Sequence, residues 1–112
     1  MPVPLYRSKA EFFKALGHPA RIRLLELLSE RDRAVHELRD AIEIEASSLS
    51  HQLAVLRQQG LVTQRREAGE VIYSLALPEV RDLLSAARSI LVSRSANGSE
   101  FVDELSRAST PR

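Results

Sequence analysis

Residues 47–57 read Ser47-Ser48-Leu49-Ser50-His51-Gln52-Leu53-Ala54-Val55-Leu56-Arg57, and Gln58-Gln59-Gly60 closes the run. On a helix turning about 100° per residue, Leu49, Leu53 and Leu56 share one side and pack on a core. Ser47, Ser50, His51, Ala54 and Gln58 fall opposite, with Ser48 and Arg57 on the flanks. That outer side is small, neutral and rich in hydrogen-bonding groups. Ordinary solvated helix faces carry Glu and Lys, and this one carries neither. A helix entering the major groove of duplex DNA needs small residues for close approach, and donors and acceptors for base edges. Serine hydroxyls and free amides at its N-terminus also suit phosphate. His51 reads as a donor to a phosphate or a base, or as a neutral exposed histidine; for a metal ligand it lacks neighbours. Gly60 suits the left-handed position that ends the helix.

Working outward, Val35, Leu38 and Ile42 recur at helical spacing, with Asp32 as the expected cap of a short third helix. The turn Glu43 to Ala46 joins it to the fourth, the helix-turn-helix outline. Upstream, Ile22, Leu24, Leu25, Leu27 and Leu28 form a wide apolar stripe, the mark of a central helix, with Pro19 in its first turn. Ser8-Lys9-Ala10-Glu11 has the capping-box pattern and opens a first helix to about Leu16, after an extended arm over Met1 to Tyr6. Downstream, Leu61 to Arg66 and Val71 to Leu75 flank the turn Glu67-Ala68-Gly69-Glu70 and read as a hairpin. Arg65 and Arg66 stand before its tip, placed to reach a phosphate or a flanking minor groove, or to be balanced by Glu67 and Glu70. Pro78 starts a last helix to about Arg94, with Val80, Leu83, Leu84, Ala87, Ile90 and Leu91 as its stripe. The expected fold is mainly α with a small β-hairpin: a winged helix-turn-helix with an added helix at each end. Residues 1–94 form the domain; 95–112 form a flexible C-terminal tail with room for a short helix over Glu100 to Arg107.

At 112 residues and 44% hydrophobic composition the chain has the size of one domain. So short a chain buries a modest share of its surface, a limit that a dimer sharing its core relieves. The net charge of +1 excludes a polycation but hides an asymmetry. Ala46 to Arg66 contains no acid, whereas Glu30 to Glu45 carries Glu30, Asp32, Glu37, Asp40, Glu43 and Glu45. A basic side beside an acidic one suits a polyanion that touches only one side. Cysteine is absent, which excludes disulfides and thiolate ligands. MPVPLYRSKAEFF has no apolar run for a signal peptide or a membrane span, so the cytoplasm is expected and a membrane partner is not. Gly-rich phosphate loop, nucleophile elbow and metal-hydrolase pair are all missing, which argues against an enzyme.

The run Ala15-Leu16-Gly17-His18-Pro19-Ala20-Arg21-Ile22-Arg23-Leu24-Leu25, the stretch Ser47 to Arg57, Gly60-Leu61-Val62 and the hairpin Arg65 to Leu75 together resemble the ArsR/SmtB family of bacterial repressors. The resemblance spans roughly residues 10 to 94. It implies a homodimer built on the first and last helices, bound to an inverted repeat until an inducer releases it. It carries DNA contact onto Ser47, Ser48, Ser50, His51 and Gln52, beside Arg57, Arg65 and Arg66 from the charge reading. It also implies a dimer interface at or near Phe12, Phe13, Leu83, Leu84, Ala87 and Ile90; both helices as wholly internal core is the alternative. Two departures stand in the turn: Glu43 where the family often has Gly, and Glu45 where it often has the better cap Ser.

Many relatives in that family sense metals. The position of a common Cys-x-Cys site falls on Ala34-Val35-His36, and a second site on the last helix meets Asp82-Leu83-Leu84 with no histidine after His51. Scattered His18, His36 and His51 do not make a tetrahedral site, so no metal and no cofactor is expected. The expected function is a sequence-specific DNA-binding repressor, with duplex DNA, a second copy and an unidentified inducer as partners. The alternatives are a metal-responsive repressor with a non-standard site involving His36, and a winged-helix module that binds protein. Arg21 and Arg23 either contact phosphate or line the second helix.

Overall fold

The computed structural model describes residues 2–95. They run α1 (Leu5–Leu16), α2 (Pro19–Glu30), β1 (Arg33–Ala34), α3 (Val35–Ala41), α4 (Ala46–Gln58), β2 (Val62–Glu67), β3 (Glu70–Leu75) and α5 (Glu79–Arg94). The helix expected over Glu100 to Arg107 lies outside the described residues. Two compact units divide the chain, with the boundary after Arg81, inside α5.

α1 begins at Leu5, earlier than the serine expected to cap it. Pro4 holds φ at −57°, and its carbonyl accepts from the Arg7 and Ser8 amides at 3.0 and 3.3 Å, so Ser8 falls inside the helix. At the break before α2, His18 Nδ1 accepts the Ala20 amide at 3.1 Å and so caps the helix. Pro19 takes the first position, where a missing N–H leaves nothing unpaired.

The core of the first unit is a leucine cluster. Leu24, Leu25 and Leu28 of α2, Leu38 of α3, and Leu49 and Leu56 of α4 are almost wholly buried with Leu61 and Val62. Each such leucine contributes about 1.5–3 kcal/mol on burial. α2 packs on both α4 and β3, which seats the helix-turn-helix against the sheet. Val80, at the start of α5, is 3% exposed, and Arg81 Nε donates to the Ser29 carbonyl at 2.8 Å.

β1 is the element that the spacing did not announce, because two residues are too few to show alternation. It pairs antiparallel with β3, Arg33 opposite Tyr73 and Ala34 opposite Ile72, giving a three-stranded sheet of order β1-β3-β2. The strand also displaces the cap expected at Asp32. α3 starts at Val35, and the Glu37 carboxylate accepts the Ala34 amide at 2.9 Å, while Asp32 turns to the hairpin.

Between α3 and α4, Ile42 is extended and Glu43 needs no left-handed backbone; among the described residues Ala68 is the one non-glycine with positive φ. The turn therefore tolerates Glu43 without strain. α4 ends as expected at Gly60, whose φ is +74°. The Gly60 amide donates to the Arg57 carbonyl and the Leu61 amide to the Leu56 carbonyl, each at 3.0 Å. This pair of bonds closes the last turn, and buried Leu61 and Leu56 supply the apolar contact that accompanies it. β2 and β3 pair from Val62 opposite Leu75 to Glu67 opposite Glu70, leaving a two-residue tip, Ala68-Gly69, with φ of +52° and +82°. Such tips match the strands' twist when both residues are left-handed.

Candidate nucleic-acid interface

α4 presents the outer face that its spacing predicts. Ser47, Ser50, His51, Arg57 and Gln58 are exposed, and Ser48 and Ala54 are half-buried on its edges. Among the described residues, the side chains of Ser47, Ser50, His51 and Arg57 make no hydrogen bond or ion pair within the chain, so their donors and acceptors stay available. Glu45 precedes the helix without capping it, which leaves the first-turn amides of α4 free of a side-chain partner.

Gln52 departs from the expectation. It is 6% exposed and points into the core, where its Oε1 accepts from Arg21 Nη1 at 2.9 Å. The signal was in the spacing: Gln52 lies three residues after Leu49 and four before Leu56, on their side of the helix. Arg21 is resolved by the same contact. Its Nε donates to the Ala15 carbonyl at 2.6 Å, so its guanidinium is engaged within the chain at the meeting of α1, α2 and α4. Arg23 is exposed and pairs with Glu26 at 3.3 Å.

The hairpin separates its two arginines, because neighbouring residues on a strand face opposite ways. Arg65 Nη1 donates to Asp32 Oδ2 and to Ser74 Oγ, each at 2.9 Å, and its Nε to Glu67 Oε2 at 2.8 Å. The hydrogen bond from Arg65 holds the Asp32 carboxyl below its ordinary value, and Glu67 and Asp32 push the guanidinium above its own. Arg66 is exposed and makes no such bond among the described residues. The positive charge that the hairpin offers outward is therefore that of Arg66. Sequence reasoning missed Asp32 as the brace of the hairpin, since nothing local relates it to Arg65, 33 residues away.

His36 Nδ1 lies 3.2 Å from Glu70 Oε1, joining α3 to β3. Among the described residues no three His, Asp or Glu side chains gather into a metal-holding group. Glu37, next to it, accepts from Arg31 at 2.7 Å as well as from the Ala34 amide, and these bonds lower its carboxyl to about 2.

The candidate interface residues sit on the terminal helices. On α1, Phe13 is 53% exposed and Phe12 half-buried, their rings edge to face with centroids 5.4 Å apart. Leu5 and Tyr6, in the first turn of the same helix, are exposed. In the second unit Leu83 and Leu84 are half-buried, and Ala87 and Ile90 are exposed. No described helix is long and apolar enough to cross a membrane.

Comparison with known proteins agrees with this geometry. Residues 18–64, from the cap of α2 into β2, match the family described as bacterial regulatory protein, arsR family. The uncharacterized HTH-type transcriptional regulator Rv0081 of Mycobacterium tuberculosis is 56% identical over 89 residues, 79% of this chain and 78% of that protein. Its crystal structure superposes with a TM-score of 0.75 at 54% identity, covering 82% of this chain and 93% of the other. A biofilm growth-associated repressor of Agrobacterium fabrum is 35% identical over 101 residues, 87% of this chain and 86% of that protein. The homodimeric winged helix-turn-helix DNA-binding domain of Mb0332 from Mycobacterium bovis, a possible ArsR-family regulator, superposes with a TM-score of 0.69 at 30% identity. That match covers 78% of this chain and 81% of the other.

Proposed function

This chain belongs to the arsR family of bacterial regulatory proteins, DNA-binding transcriptional regulators and not enzymes, and from that premise we propose that it represses transcription by binding an inverted-repeat operator as a homodimer. The observation that carries the reading is the outer face of α4. Ser47, Ser50 and His51 stand exposed, free of internal partners and without an acid on the helix beside them. In the proposed complex these residues, with Ser48 at the edge, read base edges and adjacent phosphates, and Arg57 and Arg66 hold phosphate on either side. Arg65 serves the hairpin's shape and Gln52 the seating of α4.

The dimer forms through α1 and α5, at Phe12, Phe13, Leu83, Leu84, Ala87 and Ile90. Exposed Phe13, Leu5 and Tyr6 support this, since a short chain gains by covering such side chains with a second copy. Two-fold symmetry then sets the half-sites about one helical turn, roughly 34 Å, apart. Residues 1–94 carry the DNA-binding and dimerisation functions. The protein works in the cytoplasm, needs no metal, and leaves DNA when an inducer repacks the terminal helices.

The test is fluorescence anisotropy of a labelled duplex from upstream of its own gene, against a scrambled duplex, over a range of salt. Tight binding to the first that weakens log-linearly with salt supports the reading. No binding to either duplex at low salt refutes it. A reporter driven from the bound duplex reads the direction of regulation, and added metals or a chelator leave binding unchanged.

A further inference from the structure

We infer that Arg21 is a positioning residue for DNA reading: through Gln52 it sets the rotation of α4 about its own axis, without touching DNA itself. The inference rests on α4 being the recognition helix.

Arg21 joins two elements with one rigid fork. Its Nε donates to the Ala15 carbonyl and its Nη1 to Gln52 Oε1. The Ala15 carbonyl is among the last four of α1, which have no partner within that helix. The Lys14 and Leu16 carbonyls beside it accept from the amides of Gly17 and His18, and Arg21 supplies the donor that Ala15 takes. On α4, Gln52 is the buried polar side chain among the described residues, and it follows Ser50 and His51 directly in the chain. Its other inward neighbours are Leu49, Leu53 and Leu56. Leucine contacts are non-directional and resist a small roll weakly. A planar guanidinium meeting an amide oxygen restricts angle as well as distance.

Small rolls matter at the surface of a helix. With side chains it is about 10–12 Å across, so a roll of about 10° carries a surface side chain through about 1 Å. Hydrogen bonds to base edges tolerate a donor–acceptor range of about 0.5 Å. Such a roll therefore takes Ser50 and His51 off their partners while leaving phosphate contacts, which need only charge nearby, largely in place. The same fork ties α4 to the end of α1, so a displacement of that end reaches the reading face through one side chain.

The experiment compares the full chain with the double variant Arg21→Met/Gln52→Leu, which leaves neither member of the pair buried without the other. Amide residual dipolar couplings in the free protein report the orientation of α4, and anisotropy reports duplex preference. Couplings over residues 47–57 change relative to those of α2, and preference for the upstream duplex over the scramble falls by about tenfold or more, with affinity for the scramble and its salt slope retained. Gln52→Glu, which keeps an oxygen acceptor for Arg21, retains the wild-type couplings and preference. Unchanged α4 couplings in the folded double variant, or their loss in Gln52→Glu, overturn the inference. So does an equal fall for both duplexes with a salt slope shallower by about one unit per protomer, because that marks Arg21 as a phosphate ligand. A wild-type chain that binds neither duplex at low salt refutes the proposed function, and the couplings still decide whether Arg21 sets the rotation of α4.

Discussion

Arg66→Ala and Arg65→Ala remove the same charge from neighbouring positions of one strand, yet the structure predicts different effects on DNA binding. Among the described residues Arg66 is exposed and its guanidinium makes no hydrogen bond or ion pair, whereas Arg65 is held by Asp32, Glu67 and Ser74. A proposed dimer that loses one phosphate contact from each hairpin loses about 1.8 from the slope of log affinity against log salt, at about 0.9 per contact. Between 50 and 200 mM salt, a fourfold rise, Arg66→Ala therefore loses roughly twelvefold less affinity than the wild type does. Arg65→Ala keeps a slope within about half a unit of the wild type, because no phosphate ligand is lost. It instead leaves Glu67 without its cation and Asp32 with only its hydrogen bond to Ser74, lowers the melting temperature modestly, and moves the hairpin. Anisotropy titrations of both variants at five or so salt concentrations measure this directly. Equal slope changes for the two arginines, or the larger one for Arg65, would refute the division of labour drawn from the ion pairs.

Three further outcomes are expected. Phe13→Glu places a charge on the exposed apolar side of α1, and sedimentation equilibrium then finds a folded monomer at concentrations where the wild type forms the proposed dimer; an unchanged mass rules α1 out as the interface. Glu37 has a folded-state value near 2, below its ordinary 4.5, so its bonds to Arg31 and the Ala34 amide are present above the ordinary value and are lost as pH falls toward 2. A carboxyl titration by NMR with a midpoint near 4.5 would contradict that, and amide protection at the start of α3 should fall over the same window. Ala68→Asn relieves a left-handed alanine in a tip that favours Asn-Gly, and stabilises the chain by about 0.5–1 kcal/mol in urea unfolding; a destabilised variant would contradict the turn assignment.

The elements that were legible are those whose evidence is local. Leu49, Leu53 and Leu56 mark the inner side of α4 whatever lies against them, Gly60 marks its end, and Ala68-Gly69 marks the hairpin tip. Spacing even held the clue that Gln52 faces inward, against what family resemblance implied for it. Three features were not legible in the same way. The start of α1 moved to Leu5 because the Pro4 carbonyl begins the hydrogen-bond ladder before Ser8. β1 was too short to leave a pattern. Asp32 looked like a cap because its nearest helix is the next element along the chain, yet its partner is Arg65.

What the sequence by itself determined is therefore the helix-turn-helix, the hairpin, and the acid-free outer side of α4, since each follows from periodicity and backbone preference over a few neighbouring residues. What only the tertiary structure decided is which polar groups remain free for a partner. Arg65 and Asp32 meet across 33 residues, and Arg21 and Gln52 across 31. A hydrogen bond forms only where folding brings donor and acceptor within about 3 Å. Sequence spacing carries no such distance for groups on different elements, so charge alone could not separate Arg65 from Arg66, or a clasp at Arg21 from a phosphate ligand.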